Sequence, residues 1–94
     1  MKKFIILYGD KSSSTGEREE WMRWFASIAA NIVDNGNPLG DGREVTKTGS
    51  RNLLGDATPI TGYTIVNAEN MEAAEKLLVG VPIDSVRVYE ALPM

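Results

Sequence analysis

A chain of 94 residues with 43% hydrophobic content has the size of one domain and enough apolar material for a small core. Its net charge of −3 argues against a phosphate-backbone binder, and no apolar run nears the ~20 residues of a membrane span. The chain has no cysteine and no histidine. That excludes disulfides, thiolate and imidazole metal ligands, cysteine nucleophiles and Ser-His-Asp triads, and leaves carboxylate, lysine, tyrosine or water as any acid or base.

The first element is a strand over residues 3–8 of "KKFIILYGD", closed by Gly9-Asp10. From Phe4 to Tyr8 no side chain is charged or strongly polar, and neighbouring side chains in a strand face opposite ways, so both faces read as buried. "MKKFIILYGD" starts like a signal peptide, but its apolar run stops at Asp10, short of the ~7–15 residues such a region needs. A cytoplasmic protein is expected. Ser14-x-x-Glu17 reads as a capping box opening a helix that runs to about Asp34. Trp21, Trp24 or Phe25, Ile28 and Ile32 recur at three- and four-residue steps and form its core-facing stripe, so core packing is the expected role of both tryptophans. Asn35-Gly36 supplies the left-handed stop.

"NPLGDG" over 37–42 is a turn-rich connector. A polar strand over 43–48 follows, suited to a sheet edge, and its Arg43 and Lys47 with Arg51 read as a solvated basic strip. Residues 49–59 read as a loop. The next strand covers 60–67, with Asn67 or Asn70 capping a second helix whose buried stripe is Met71, Ala74, Leu77 or Leu78, and Val81. Gly80 ends that helix and Pro82 prevents its return; the last strand covers 85–90.

The order β-α-β-β-α-β predicts an α+β, ferredoxin-like domain spanning 1–94: a four-stranded antiparallel sheet with two helices on one face. Two helices cover only one face, while the first strand is apolar on both. A second copy of the chain is the simplest cover for the other face, which predicts a homodimer.

In the last strand Val86 and Val88 share one face and Arg87 and Tyr89 the other. With the valines under the helices, Arg87 and Tyr89 point toward the partner sheet, where Arg87 is suited to a carboxylate and Tyr89 offers a ring and a hydroxyl. Tyr8 and Tyr63 are neighbours to this set, the facing of their strands being open. Asp10 is the acid at the end of the buried first strand and the candidate general base, against a plain turn-forming role.

"WFASIAANIVDNGNPLG", "ITGYTIVNAENMEAAEKL" and the terminal "VYEALPM" together resemble the YCII-related family of dimeric α/β-barrel proteins, and among them the small bacterial members with a Gly-Tyr-x-Ile-Val strand before an Ala-rich helix. Here these are Gly62, Tyr63, Ile65 and Val66, then Glu72, Ala73 and Ala74. The resemblance implies two sheets facing each other across a dimer axis, with a cleft for a small molecule. Some relatives carry a His-Asp pair proposed for catalysis; here Asp10 stands at an often acidic or polar position, and Ile83 stands where similar sequences often have histidine. An Asp-Gly-Pro-Phe signature of another branch is missing, and "GDATP" occupies its region.

The expected function is binding of a small polar or aromatic metabolite in the cleft between sheet and partner. Any catalysis there is cofactor-free, with Asp10 as base and Arg87 or a tyrosine stabilising an enolate or carboxylate. The alternative is a non-catalytic structural or interaction module whose barrel core is simply filled. No metal, nucleic acid or membrane partner is expected.

Overall fold

A computed structural model describes residues 1–9, 18–54 and 59–94. The apolar run at the start becomes the centre of a sheet. Strand β1 (Lys2–Gly9) pairs antiparallel with β5 (Ile60–Ala68) on one side and with β6 (Val86–Ala91) on the other, and the short β2 (Ile32–Asp34) pairs antiparallel with the outer edge of β5. The strand order β2-β5-β1-β6 in an antiparallel sheet with two helices is compatible with the ferredoxin-like arrangement.

Alternation sorts the side chains. Phe4, Ile6 and Tyr8 of β1 and Gly62, Thr64, Val66 and Ala68 of β5 are buried on one face. Against them pack Trp24 and Ile28, from helix α1 (Arg18–Ser27) and the residue after it, and Ala74 of helix α2 (Met71–Leu77). The two helices are tied together directly: the Trp24 indole N–H donates to the Leu77 carbonyl at 2.9 Å. Asn70 caps α2, its side-chain oxygen accepting from the Ala73 N–H at 2.8 Å, and Gly80 takes a φ of 85° beyond its end. No helix among the described residues is long and apolar enough to cross a membrane.

The structure corrects three sequence boundaries. Helix α1 stops at Ser27, not near Asp34. The Ser27 hydroxyl bonds back to the Trp24 carbonyl at 2.6 Å, and Ile28 departs from helical dihedrals with φ −110° and ψ 8°. A 3-10 turn over Ala29–Asn31 then turns the chain, and Asn31 Nδ2 donates to the Asn67 carbonyl at 2.9 Å. Pairing with the free edge of β5 outweighs helix continuation for the β-branched Ile32 and Val33, and they become β2.

The polar strand placed over 43–48 is therefore not the edge of this sheet. Arg43–Thr46 forms β3, which pairs only with β4 (Gly49–Asn52) in a separate two-stranded sheet. The first four residues of the stretch read as a loop, Gly49–Asn52, are thus strand, while the capping box at Ser14 and Glu17 lies outside the described residues.

Gly36, after β2, has a φ of 75°, and a Cβ there would sit 1.7 Å from the Tyr63 carbonyl oxygen. Gly36→Ala adds both backbone strain and a backbone clash, so it is expected to cost at least on the order of 1–3 kcal/mol. Urea unfolding measures this; an unchanged midpoint would contradict the turn.

Candidate functional site

At the end of β1 the layer between helix and sheet is built from aromatic rings. Tyr8 lies opposite Gly62, where a Cβ would come within 3.3 Å of Tyr8 Cδ2, so the glycine makes room for the ring. The ring meets Trp21 edge-on, with centroids 5.3 Å apart, and Trp24 at 6.1 Å. Phe25 completes the cluster, 5.0 Å from Trp24 and 6.1 Å from Trp21.

Beside Tyr8 lies Thr64, the one fully buried polar side chain among the described residues. Its hydroxyl donates to the Asn35 carbonyl at 2.9 Å and lies 2.7 Å from the Tyr8 hydroxyl. A hydroxyl has one proton. Since that of Thr64 goes to Asn35, Tyr8 must donate to Thr64, and the chain runs Tyr8 to Thr64 to Asn35. The Tyr8 oxygen then presents only lone pairs to any further partner. Burial pushes its pKa up to about 12, while the Thr64 hydroxyl, able to turn toward a phenolate, pulls weakly the other way.

These groups line a cavity of about 790 Å³, within the range of small-molecule pockets. Trp21, Met22 and Phe25 of α1 form one wall, and the segment 35–38 with the start of β5 forms the other. Among the described lining residues none carries a formal charge. Nor does any group of three or more acidic residues, among those described, gather to hold a metal.

The residues singled out from sequence divide between two places. Tyr8 lines the cavity from the helix-covered face; Tyr63 borders it too, but its register opposite Leu7 places it on the open face, and Asn37 Nδ2 lies 3.5 Å from its hydroxyl. Arg87 and Tyr89 lie on the open face of the sheet, as the parity of Val86 and Val88 required. There Arg87 stands opposite Leu7, which pairs on its other side with Tyr63, and Tyr89 stands opposite Ile5, which pairs with Ile65. Asp10 lies outside the described residues. Trp24 packs in the core as expected, whereas Trp21 is half-buried and lines the cavity.

Sequence reasoning missed Trp21, Phe25 and Thr64 as lining groups. Their signals were an aromatic pair four residues apart on α1 and a hydroxyl at a core-facing position of β5.

No protein-family profile, curated protein or solved structure matches this chain. The resemblance to YCII-related proteins therefore rests on the quoted motifs.

The raised Tyr8 pKa has a signed consequence. Folded Tyr8 holds its proton where an unfolded tyrosine has lost it, so its contribution to stability is complete below pH 10 and is lost as pH rises toward about 12. Tyr8→Phe should remove the tyrosinate absorbance step near pH 12 and flatten the loss of stability over that window. At neutral pH it should cost only about 1 kcal/mol, because Thr64 keeps its bond to Asn35. Persistence of the high step in the variant would reassign it.

Proposed function

We propose that this chain is a small-molecule-binding domain that takes a neutral aromatic ligand bearing an O–H or N–H group into the cavity between α1 and β5. The cavity itself carries the reading: its volume, its aromatic wall and the absence of charge among its described lining residues suit one or two fused rings. The ligand's donor is matched to the Tyr8 oxygen, which accepts but has no proton left to give. This is binding rather than proton transfer, since a tyrosine held protonated to about pH 12 is a poor base and no described lining residue is a carboxylate or an amine.

The same reading takes the domain to act in the cytoplasm as a homodimer joined through the open sheet face. Ile5, Leu7 and Ile65 are only half-buried there beside Tyr63 and Tyr89, the last 52% exposed. A contiguous apolar and aromatic surface of this kind is the usual seed of an interface. The resemblance to YCII-related proteins supports the same assembly. An interaction module without a ligand would use that face equally well, so the cavity separates the two readings.

Naphthol is the first probe. It should raise the thermal midpoint and quench tryptophan fluorescence, and cyclohexanol, which has the hydroxyl without the aromatic rings, should do neither at equal concentration. Trp21→Ala should weaken naphthol binding by roughly tenfold while the protein stays folded. Identical responses to the two alcohols would overturn the aromatic site. Light scattering on dilution through the micromolar range tests the dimer, for which a mass of about twice the 10.3 kDa chain is expected; Tyr89→Asp should shift it toward the monomer.

A further inference from the structure

Among the described residues, the β3–β4 hairpin is an arm that packs on no other element. Every residue of both strands is exposed, Val45 to 76%. No described element other than its own partner strand makes more than a glancing contact with either β3 or β4. Its cross-strand pairs are Arg43 with Asn52, Glu44 with Arg51, Val45 with Ser50 and Thr46 with Gly49, so no two apolar side chains meet across it. Two-stranded hairpins of this kind are marginal in water unless they pack on something. The projection also shows in the radius of gyration, 14.4 Å against roughly 12 Å for a compact chain of this length.

Charge indicates what it packs on. The arm holds Arg43, Lys47 and Arg51 against Glu44, a net of +2; Arg51 is already engaged, with Glu44 at 2.6 Å, so the charge on offer is that of Arg43 and Lys47. The rest of the chain keeps seven basic and twelve acidic residues, a net of −5. Basic arm and acidic body belong to one polypeptide, yet no described element of that body packs against the arm. It leaves the sheet at the bridge between Pro38 and Gly62 and closes at its base where the Leu53 N–H donates to the Gly42 carbonyl at 2.9 Å. Its root is thus one wall of the cavity.

We infer that the arm over residues 43–52 docks on the body of a second copy of this chain, so that a two-fold dimer is clasped by two reciprocal arm contacts. The inference rests on the homodimer proposed above and adds a second interface to it. In a symmetric pair each acidic body receives one basic arm, which closes the assembly and gives the hairpin the surface it lacks.

The experiment compares the full chain with a variant in which residues 43–52 are replaced by a pair of glycines bridging Gly42 and Leu53. Sedimentation equilibrium gives the dimer dissociation constant, and near-ultraviolet circular dichroism of the tryptophan cluster reports the fold. The variant should keep its near-ultraviolet spectrum and dimerise about tenfold or more weakly. Added salt should weaken the full-chain dimer more than that of the variant. Arg43→Glu with Lys47→Glu should reproduce the loss without shortening the chain.

Unchanged dimerisation of the arm-less variant would overturn the clasp and leave the sheet-face dimer standing. Loss of the near-ultraviolet signal in that variant, but not in the charge-reversed one with its dimer intact, would also overturn it, by making the arm part of its own subunit's fold. A full chain that stays monomeric would overturn the dimer reading and the clasp together.

Discussion

A hydroxyl sealed between a sheet and a helix layer must give its proton to something, because leaving it unpaired costs about 1–3 kcal/mol. Thr64 is that hydroxyl, and much of the neighbouring structure follows from satisfying it. Its acceptor is the Asn35 carbonyl, so the chain leaving β2 must pass close to β5. That approach is what Gly36 permits, since any side chain there would meet the Tyr63 carbonyl. Its second partner is Tyr8, which must then stay protonated. The Tyr8 ring in turn needs the space that Gly62 leaves open. A single buried polar atom thus explains two glycines, one loop path and the protonation state of a tyrosine.

The aromatic cluster divides the helix layer into a packed part and an open part. Trp24 is inside, its indole N–H spent on the Leu77 carbonyl, and that bond holds α1 beside α2. Around Phe4 and Val66 the layer is filled, and the small Ala74 sits fully buried. Trp21 is one turn nearer the start of α1, half-buried, with the Phe25 ring tilted beside it at 6.1 Å. Large flat side chains that touch at their edges leave gaps between them that aliphatic side chains would fill. The cavity is therefore bounded by the same rings that stabilise the cluster.

The parts of this fold that periodicity governs were legible in the sequence. The central strand, the strand over 60–67, the second helix with Asn70 as one of two candidate caps, and the facing of Arg87 and Tyr89 all follow from an apolar run, from alternation or from a capping side chain. What could not be read was decided by pairing over a distance. Ile32 and Val33 continue the helical stripe of α1, and only the free edge of β5 some thirty residues later makes them a strand. With that edge taken, the polar segment after Gly42 had no place in the sheet and folded on itself. The site divided in the same way. Tyr8 could be named but not faced from its own strand, and the Thr64 bond that assigns its role joins residues fifty-six positions apart.

This facing decides what chemistry one chain can bring together. A mechanism in which Arg87 steadies a developing anion while Tyr8 contacts the same ligand needs both groups around one space. Tyr8 lies under the helices, and Arg87 lies on the opposite face beside Leu7. A ligand touching both would have to pass through a hydrogen-bonded backbone layer. The two faces also differ in kind: one holds a cavity whose described lining is aromatic and uncharged, with an acceptor, the other an apolar surface bearing a cation. The two sides of one sheet therefore differ in chemistry, with an aromatic cavity under the helices and apolar side chains beside Arg87 on the open face.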